Sequence, residues 1–297
     1  MFAKAIDLLA RGTMVRDRGF GEVYPYPFLS STMDGPLANG TDVSSGGAVY
    51  NALTMNGCGM ADLVDSLGVI RECVYEDHAV SLAELADALR ADFAGRPELK
   101  SRLAGAGDRF GNDADAPDVM LADLTRRVSD QLATYDSPRG GVWQMGLYTV
   151  DAHAHLGKQT GALPSGREAG VSLANGCSPC QGADVHGPTA AVRSVSKLDH
   201  TMLGNGLVLD LKFAPELVKS DTGRGALRGL IETYFAMGGM EIQFNVVDAG
   251  TLVAAKADPE AYRDLIVRVS GFSAYFTTLD PVTQDEIIAR TEHGSVD

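Results

Sequence analysis

Apolar residues recur at helical spacing in three stretches of the first half of the chain. From Met60 to Glu76 they lie on one face, which predicts an amphipathic helix. Ser81 and Glu84 have the spacing of a capping box, which predicts the start of a second helix. A third helix is predicted from Pro117, after a surface loop rich in Gly, Asp and Ala at 104–116. The apolar positions that define the three helices are Leu63, Leu67, Ile70 and Val74; Leu82, Leu85, Leu89 and Phe93; and Met120, Leu124, Val128 and Leu132.

In the second half of the chain, short apolar runs alternate with amphipathic segments. The apolar runs predict strands at 142–150, 207–213, 241–247 and 265–270. The segments between and after them predict helices at 187–204, 225–237, 251–257 and 281–291. Strand–helix alternation with apolar strands is typical of an α/β fold, so the sequence predicts that class.

Composition and charge narrow the possible partners. The chain has 297 residues, 45% of them hydrophobic, and a formal net charge of −14. This charge argues against nucleic acid or an anionic membrane surface as a partner. No apolar stretch approaches the ~20 residues needed to span a bilayer. Four Cys in a chain of this length do not make a disulfide framework, so we expect a reducing, cytoplasmic location.

The most informative motif is Leu-Ile-Val-Arg-Val-Ser-Gly-Phe-Ser-Ala at 265–274. It resembles the radical-site motif of the glycyl radical enzymes, the group of pyruvate formate-lyase, glycerol dehydratase and choline lyase. The resemblance implies that Gly271 loses a Cα hydrogen and stores an unpaired electron. Glycine suits this task because a Cα without a side chain can flatten and can adopt unusual φ and ψ values at low cost.

The resemblance continues along nearly all of the chain. Two positions depart from the usual motif: Phe272 stands where Tyr is usual, and Ser165 where Asp is usual. The matching stretches are Gly46–Asn51, Ala61–Leu67, Pro164–Gly170, Gly187–Ala190, Gly238–Gly239, Ile242–Asp248, Asp258–Asp264 and Gln284–His293. The resemblance implies the C-terminal part of a pyruvate formate-lyase-like α/β barrel at 1–170, followed by the glycyl radical domain at 171–297.

The family's catalytic Cys lies far upstream of the radical Gly, with an acidic residue two places after it. Cys58 follows Gly57, but Met60 occupies the acidic position, and Cys73, Cys177 and Cys180 lack the context. The resemblance therefore implies a radical-bearing subunit or portion that needs a Cys-bearing N-terminal partner chain. It also implies that an iron–sulfur radical-SAM activase installs the radical anaerobically, without a cofactor bound to this chain.

Three residues are candidates for supporting the radical loop. Arg268 flanks the site and is expected to pack or pair so that it fixes the loop. Gln243 and Asn245 alternate on a predicted strand and are expected to hydrogen-bond the loop backbone, because buried polar groups need partners. Ser273 and Ala274 after Gly-Phe, together with Gln-Asp-Glu-Ile-Ile at 284–288, resemble the dehydratase and lyase branch of the family, so a small-molecule substrate is expected.

Other interpretations remain open at this point. A short radical-domain protein of this family can act as a repair module rather than as an enzyme. His153 and His155 form a His-x-His at a predicted strand end, which in a metal-dependent hydrolase can hold one metal; the simpler interpretation is two half-exposed side chains. Cys177 and Cys180 form a Cys-x-x-Cys, which we interpret as incidental thiols because the chain has no second Cys pair.

Overall fold

The computed structural model describes residues 2–296, which divide into two compact units. The first unit comprises the chain up to Asn56 together with 124–146 and 201–205. Its strands are β1 (Ala52–Asn56) and β2 (Val142–Gly146), which pair in parallel. Its complete helices are α1 (Phe2–Val23), α2 (Pro27–Ser31) and α3 (Pro36–Asn39).

The second unit holds the rest of the described chain, and its helices up to residue 159 follow the sequence pattern closely. They are α4 (Met60–Ile70), continued by a π-helical turn at Arg71–Glu76, α5 (Leu82–Arg90), α6 (Pro97–Ala104), the first part of α7 (Asp115–Leu132) and α8 (Ala152–Gln159). The predicted capping box is present at the start of α5, where the Ser81 and Glu84 side chains each bond the other residue's backbone N–H.

The later elements of the second unit include the motif at 265–274. The helices are α9 (Gly187–Ser196), α10 (Pro215–Lys219), α11 (Asp221–Ala236), α12 (Ala249–Ala257) and α13 (Pro281–Ala289). The strands are β3 (Leu209–Phe213), β4 (Ile242–Val246), β5 (Ile266–Arg268), β6 (Ser273–Tyr275) and β7 (Glu292–His293). Strands β4, β3 and β7 form a parallel sheet in that order, so the predicted α/β class is confirmed.

Several predicted element boundaries are wrong, each for an identifiable reason. The helix that opens at Gly187 ends at Ser196 and not at Gly204. The loop at 104–116 is not purely a surface loop, because the Phe110 side chain is fully buried. The run at 265–270 is not the last strand, since β5 pairs antiparallel with β6 in a hairpin and β7 follows. Gly271 therefore lies in the turn of that hairpin.

A hydrophobic cluster holds the hairpin against two helices. Val267 and Val269 point into this cluster, where they meet Leu252 of α12 and Ile287 of α13. Phe276, just after β6, is fully buried in the same cluster. Burying side chains of this size contributes roughly 1.5–3 kcal/mol each. The apolar side of the hairpin is therefore fixed, and this leaves its turn free to face outward.

Candidate functional site

Gly271 occupies the tip of the β5–β6 hairpin in a conformation that favours glycine. Its φ is +80°, and the residue is exposed. Beyond its chain neighbours, no heavy atom of residues 2–296 lies within 4 Å of the point that a Cβ would occupy. The Cα of Gly271 can therefore be approached from this side, and a side chain here would be strained by φ rather than by contact.

Two side chains of β4, Gln243 and Asn245, hydrogen-bond the hairpin. Gln243 Oε1 accepts a hydrogen bond from the Gly271 amide N at 3.2 Å and another from Arg268 Nε. Asn245 Nδ2 donates to the Arg268 carbonyl oxygen at 2.7 Å, and Asn245 Oδ1 accepts from the Arg268 amide N at 2.8 Å. Residues two apart on a strand share a face, so β4 presents both amides to the hairpin.

The Arg268 side chain crosses the hairpin. Besides its bond to Gln243, its Nη1 lies within donating distance of Ser273 Oγ, at 3.3 Å on the opposite strand. Arg268 and Ser273 are also register partners of β5 and β6. The Arg268 guanidinium thus links both strands of the hairpin to β4, at the same Gln243 oxygen that the Gly271 amide N bonds.

A buried ionic group lies under the first strand of the hairpin. Arg290 Nη2 donates to the Val269 carbonyl oxygen at 2.7 Å, and Nη1 donates to the Arg268 carbonyl oxygen at 3.2 Å. The same guanidinium binds Glu286 in a bidentate manner, at 2.9 Å from Nε and 2.8 Å from Nη2. Asn175 Nδ2 also donates to the Val269 carbonyl oxygen, at 3.2 Å. We call Asn175, Asp210, Glu286 and Arg290 the anchoring cluster.

Asp210 and His153 complete the surroundings of the cluster. Asp210 Oδ2 accepts from Asn175 Nδ2 at 2.5 Å, and its Oδ1 lies 3.6 Å from Arg290 Nη1. His153 Nε2 lies 3.2 Å from Glu286 Oε2, and both side chains are fully buried. Paired charges and hydrogen bonds of this kind are what allow ionisable groups to be buried.

The electrostatics of the two carboxyl groups differ sharply. Burial raises the pKa of Asp210 to about 7, against the attraction of Arg290. Burial also acts to raise the pKa of Glu286, but Arg290 and His153 outweigh it and lower this pKa to about 2. Glu286 is therefore the permanent anion that holds Arg290, while Asp210 titrates near neutral pH.

The sequence did not assign a role to any member of the anchoring cluster. Glu286 and Arg290 are spaced i, i+4, the spacing of an ion pair on one helix face, and this signal is visible in the sequence. Their targets, the carbonyls of Arg268 and Val269, follow from the tertiary packing of α13 on the hairpin. The contacts of Asn175 and Asp210 likewise join segments far apart in the chain.

The His-x-His motif does not form the predicted strand-end pair. His153 and His155 lie in helix α8, where residues two apart do not face each other. His153 is fully buried beside Glu286, and His155 is half exposed, with Nε2 at 3.7 Å from Asp151 Oδ2. Only the exposure of His155 matches the simpler interpretation. Among residues 2–296, no group of three or more His, Cys, Asp or Glu side chains has a geometry that could hold a metal.

The four thiols occupy settings that keep them protonated. Cys73 and Cys177 are buried, and Cys177 Sγ lies 3.1 Å from the Val208 carbonyl oxygen. Burial raises the pKa of Cys58 to about 11 and raises that of Cys180 as well. All four are free thiols in the described structure.

The structure also bears on the prediction that no segment spans a membrane: none of the helices within 2–296 is long and apolar enough to cross a bilayer.

Comparison with protein families gives two adjacent matches. A family described as "Pyruvate formate lyase-like" matches residues 1–157, and one described as "Glycine radical" matches residues 173–277. The second match includes Gly271, both β4 amides and two members of the anchoring cluster, Asn175 and Asp210.

Individual proteins extend the likeness over nearly the whole chain. The "Probable dehydratase YbiW" of Escherichia coli (strain K12) is 38% identical over 89% of this chain. A glycerol-bound B12-independent glycerol dehydratase from Clostridium butyricum superposes with a TM-score of 0.88, 42% identity and 94% coverage. A hydroxyproline dehydratase from Clostridioides difficile, with trans-4-hydroxy-L-proline bound, superposes with a TM-score of 0.92, 33% identity and 98% coverage. The chain spans only 34%, 35% and 37% of these proteins, respectively.

Proposed function

Because the chain belongs to the pyruvate formate lyase-like family and contains a glycine radical region, we propose that it is the radical-bearing portion of a dehydratase- or lyase-type glycyl radical enzyme. Gly271 stores the radical. A Cys in a complementing portion forms the thiyl radical that attacks a small-molecule substrate. The relatives of this chain include dehydratases and sulfite-lyases, which supports this branch.

The observation that carries the proposal is the accessible Cα of Gly271 at the tip of a firmly held hairpin. An adenosyl radical, made by an iron–sulfur radical-SAM activase, takes one hydrogen atom from this Cα and leaves the unpaired electron on Gly271. Such a transfer needs the two centres in contact, about 3–3.5 Å apart. The open side of Gly271 permits that approach without displacement of any non-neighbouring side chain within 2–296.

The catalytic hydrogen transfers follow from the same position. The Gly271 radical takes the hydrogen atom of a Cys thiol, which restores Gly271 and leaves a thiyl radical. The thiyl takes a hydrogen atom from the substrate, a bond of the substrate radical breaks, and the product radical takes the hydrogen back from the thiol. A site of this kind must exclude water and oxygen, so the complementing portion has to cover the turn during turnover.

Arg268, Gln243 and Asn245 serve as positioning residues in this proposal. The amide N–H of Gly271 bonds Gln243, so the peptide plane before the radical carbon has a fixed partner. Asn245 fixes the backbone of Arg268, three residues earlier. These bonds support a defined geometry for Gly271, because a buried donor or acceptor that loses its partner costs about 1–3 kcal/mol.

The position of Gly271 also supports a Cys-bearing partner portion. No sulfur among residues 2–296 lies within 4 Å of the open side of Gly271, which is where a hydrogen-donating thiol must sit. The family match at 1–157 favours a portion of the enzyme over a repair module, which needs only the radical region. The placement of His153 against Glu286 gives no support to a metal-dependent hydrolase. A cytoplasmic, anaerobic setting suits the free thiols and the radical.

Electron paramagnetic resonance of the anaerobically activated protein tests the proposal. The wild-type chain should give a carbon-centred doublet, and Gly271→Ala should give none while keeping its fold. Gly238→Ala is the matched control, because Gly238 also has a positive φ, +92°, and open space around it. This control should keep the doublet. A doublet that persists in Gly271→Ala would place the radical elsewhere and overturn the proposal.

A further inference from the structure

We propose that Arg290, held by Glu286, is a positioning residue that sets the orientation of the peptide planes leading into Gly271. The inference rests on the proposed function only in its consequence for the radical. Its structural content, that one buried guanidinium fixes the turn, holds for the chain itself. The stretch Gln284–His293, which matches the family, includes Arg290, but the sequence assigned it no role.

The contacts of Arg290 place it directly under the entry to the turn. It donates to the carbonyl oxygens of Arg268 and Val269, which are the third and second residues before Gly271. Gln243 holds the amide N of Gly271 from the β4 side. Both peptide planes that flank Ser270 are therefore held: the first at the Val269 carbonyl, the second at the Gly271 N–H. Ser270 itself is 1% exposed.

Burial makes the position of Arg290 hard to change. Its side chain is 8% exposed, and that of Glu286 is fully buried. A guanidinium has a rigid, planar set of five donors, which suits two carbonyls and one carboxylate at the same time. Without Arg290, the buried Glu286 carboxylate would lose its cation, which is strongly destabilising in proteins. The cluster thus acts as a fixed support for the residues that lead into the turn, while the Cβ side of Gly271 stays open.

The orientation of these planes matters for a radical at Gly271. The unpaired electron is stabilised when the Cα orbital overlaps both the amide N before it and the carbonyl after it. Gln243 holds the plane directly before Gly271, and Arg290 holds the plane before that one, at the Val269 carbonyl. Ser270 joins the two planes. Loss of Arg290 should therefore broaden the range of orientations that both planes adopt, and this changes how the spin couples to the remaining Cα hydrogen.

Backbone amide hydrogen exchange at 268–272 tests the structural claim in the unactivated chain. Arg290→Met should speed exchange there by about tenfold or more relative to amides of β3, because the hairpin loses two hydrogen bonds from a charged group, which are stronger than neutral ones. Arg290→Lys should fall between Met and wild type, because an ammonium keeps the charge but lacks the planar fork. This second variant keeps the charge and most of the volume, so it also guards against a general loss of fold.

Lys197→Met is the matched control. Lys197 pairs with the fully buried Asp118, at 2.9 Å, and its other ion pairs are with Asp113 and Asp115, far from the hairpin in sequence. It should lower global stability without speeding exchange at 268–272 beyond that of β3. Equal acceleration in Lys197→Met and Arg290→Met, or no acceleration in the latter, overturns the inference.

The resonance spectrum of activated Arg290→Lys tests the consequence for the radical. We expect a doublet whose hyperfine splitting or line width differs from wild type, and an unchanged doublet in Lys197→Met. A purely structural role for Arg290 would lower the yield of radical without altering the line shape. If wild type shows no radical at all, the proposed function fails, while the exchange result still decides the role of Arg290.

Discussion

Asn245 pairs with Arg268 as a neighbouring strand would, by donating to its carbonyl oxygen and accepting from its amide N. The Asn245 side-chain amide thus replaces main-chain ladder bonds at the base of the β5–β6 hairpin. Asn245 Nδ2 can only donate a hydrogen bond and Oδ1 can only accept one, so the pairing also determines which way the Arg268 backbone groups point. The short hairpin gains an anchor that its own three residue pairs do not supply.

Asn245→Asp should loosen the hairpin selectively. The substitution keeps the shape but replaces the donor with an oxygen that faces the Arg268 carbonyl. We expect a loss of about 2 kcal/mol, as for a buried polar group left without its partner. Hydrogen exchange at 266–275 should speed up by about tenfold or more, which mass spectrometry of peptic fragments can measure.

Asn112→Asp provides a matched control for this change. Asn112 also bonds backbone in both directions, with Nδ2 on the Ala183 carbonyl and Oδ1 on the His186 amide, in a different loop. Its replacement should leave exchange at 266–275 unchanged relative to the rest of the chain. If both variants affect the hairpin equally, the selective role of Asn245 is wrong.

The parts of the fold that follow from local pattern were predictable from the sequence. The capping box at Ser81, the apolar strand β4 and the α/β class all depend on neighbours in the chain, and all are present in the structure. The resemblance to the glycyl radical enzymes is confirmed by the family matches and by solved structures with TM-scores of 0.88 and 0.92. The predicted division at residue 170 stays a prediction.

The contacts that hold the turn at Gly271 could not be predicted from the sequence, because they join segments far apart in the chain. Val269 meets Arg290 only after α13 packs on the hairpin, and Asn175 reaches it from a loop 94 positions earlier. The His-x-His motif was misplaced because β2 ends at Gly146, earlier than the predicted strand end. The chain turns between β2 and α8, where Val150 has a positive φ of 57°, so both His lie in the helix that follows.

Air should cut the activated chain at Gly271. Oxygen adds to the exposed Cα radical, and the resulting peroxyl breaks the backbone, so a short piece that begins near Phe272 is lost. Mass spectrometry of protein exposed to air after activation measures the cut. Activated Gly238→Ala should be cut as wild type is, and Gly271→Ala should stay whole. A wild-type chain that had shown the radical doublet and then remained intact contradicts the prediction.

Asp210→Asn should raise the free energy of unfolding above that of wild type at pH 8. The difference between the two proteins should be smaller at pH 4. Burial raises the pKa of Asp210 to about 7 from an ordinary value near 4, so the folded state binds more protons than the unfolded state between these values. Wild type therefore loses stability as pH rises through this window, by up to about 1.4 kcal/mol per unit. The variant lacks this titration.

Urea unfolding of both proteins at several pH values measures the difference. Glu286→Gln is the opposite case: its pKa is lowered to about 2, so Glu286 contributes stability above pH 4 that is lost as pH falls toward 2. This variant should be less stable than wild type at pH 7, and the deficit should shrink in acid. A difference between Asp210→Asn and wild type that does not grow from pH 4 to pH 8 shows that Asp210 does not titrate as proposed.

The chain by itself should show no turnover, and activity should appear only with a Cys-bearing portion. Hydrogen transfer needs an S–H within contact of the Gly271 Cα, and no sulfur among residues 2–296 lies near its open side. The test replaces one Cys at a time by Ser, at Cys58, Cys73, Cys177 and Cys180. Each replacement should leave substrate turnover of the activated, complemented enzyme within about twofold of the wild-type rate. Cys58 and Cys177 are the sharpest cases, because each follows a Gly and burial raises the pKa of each thiol, so that it stays protonated as a hydrogen donor must. If any one replacement stops turnover while the Gly271 doublet still forms and the fold is kept, the thiyl resides in this chain, and the partner portion is not its source.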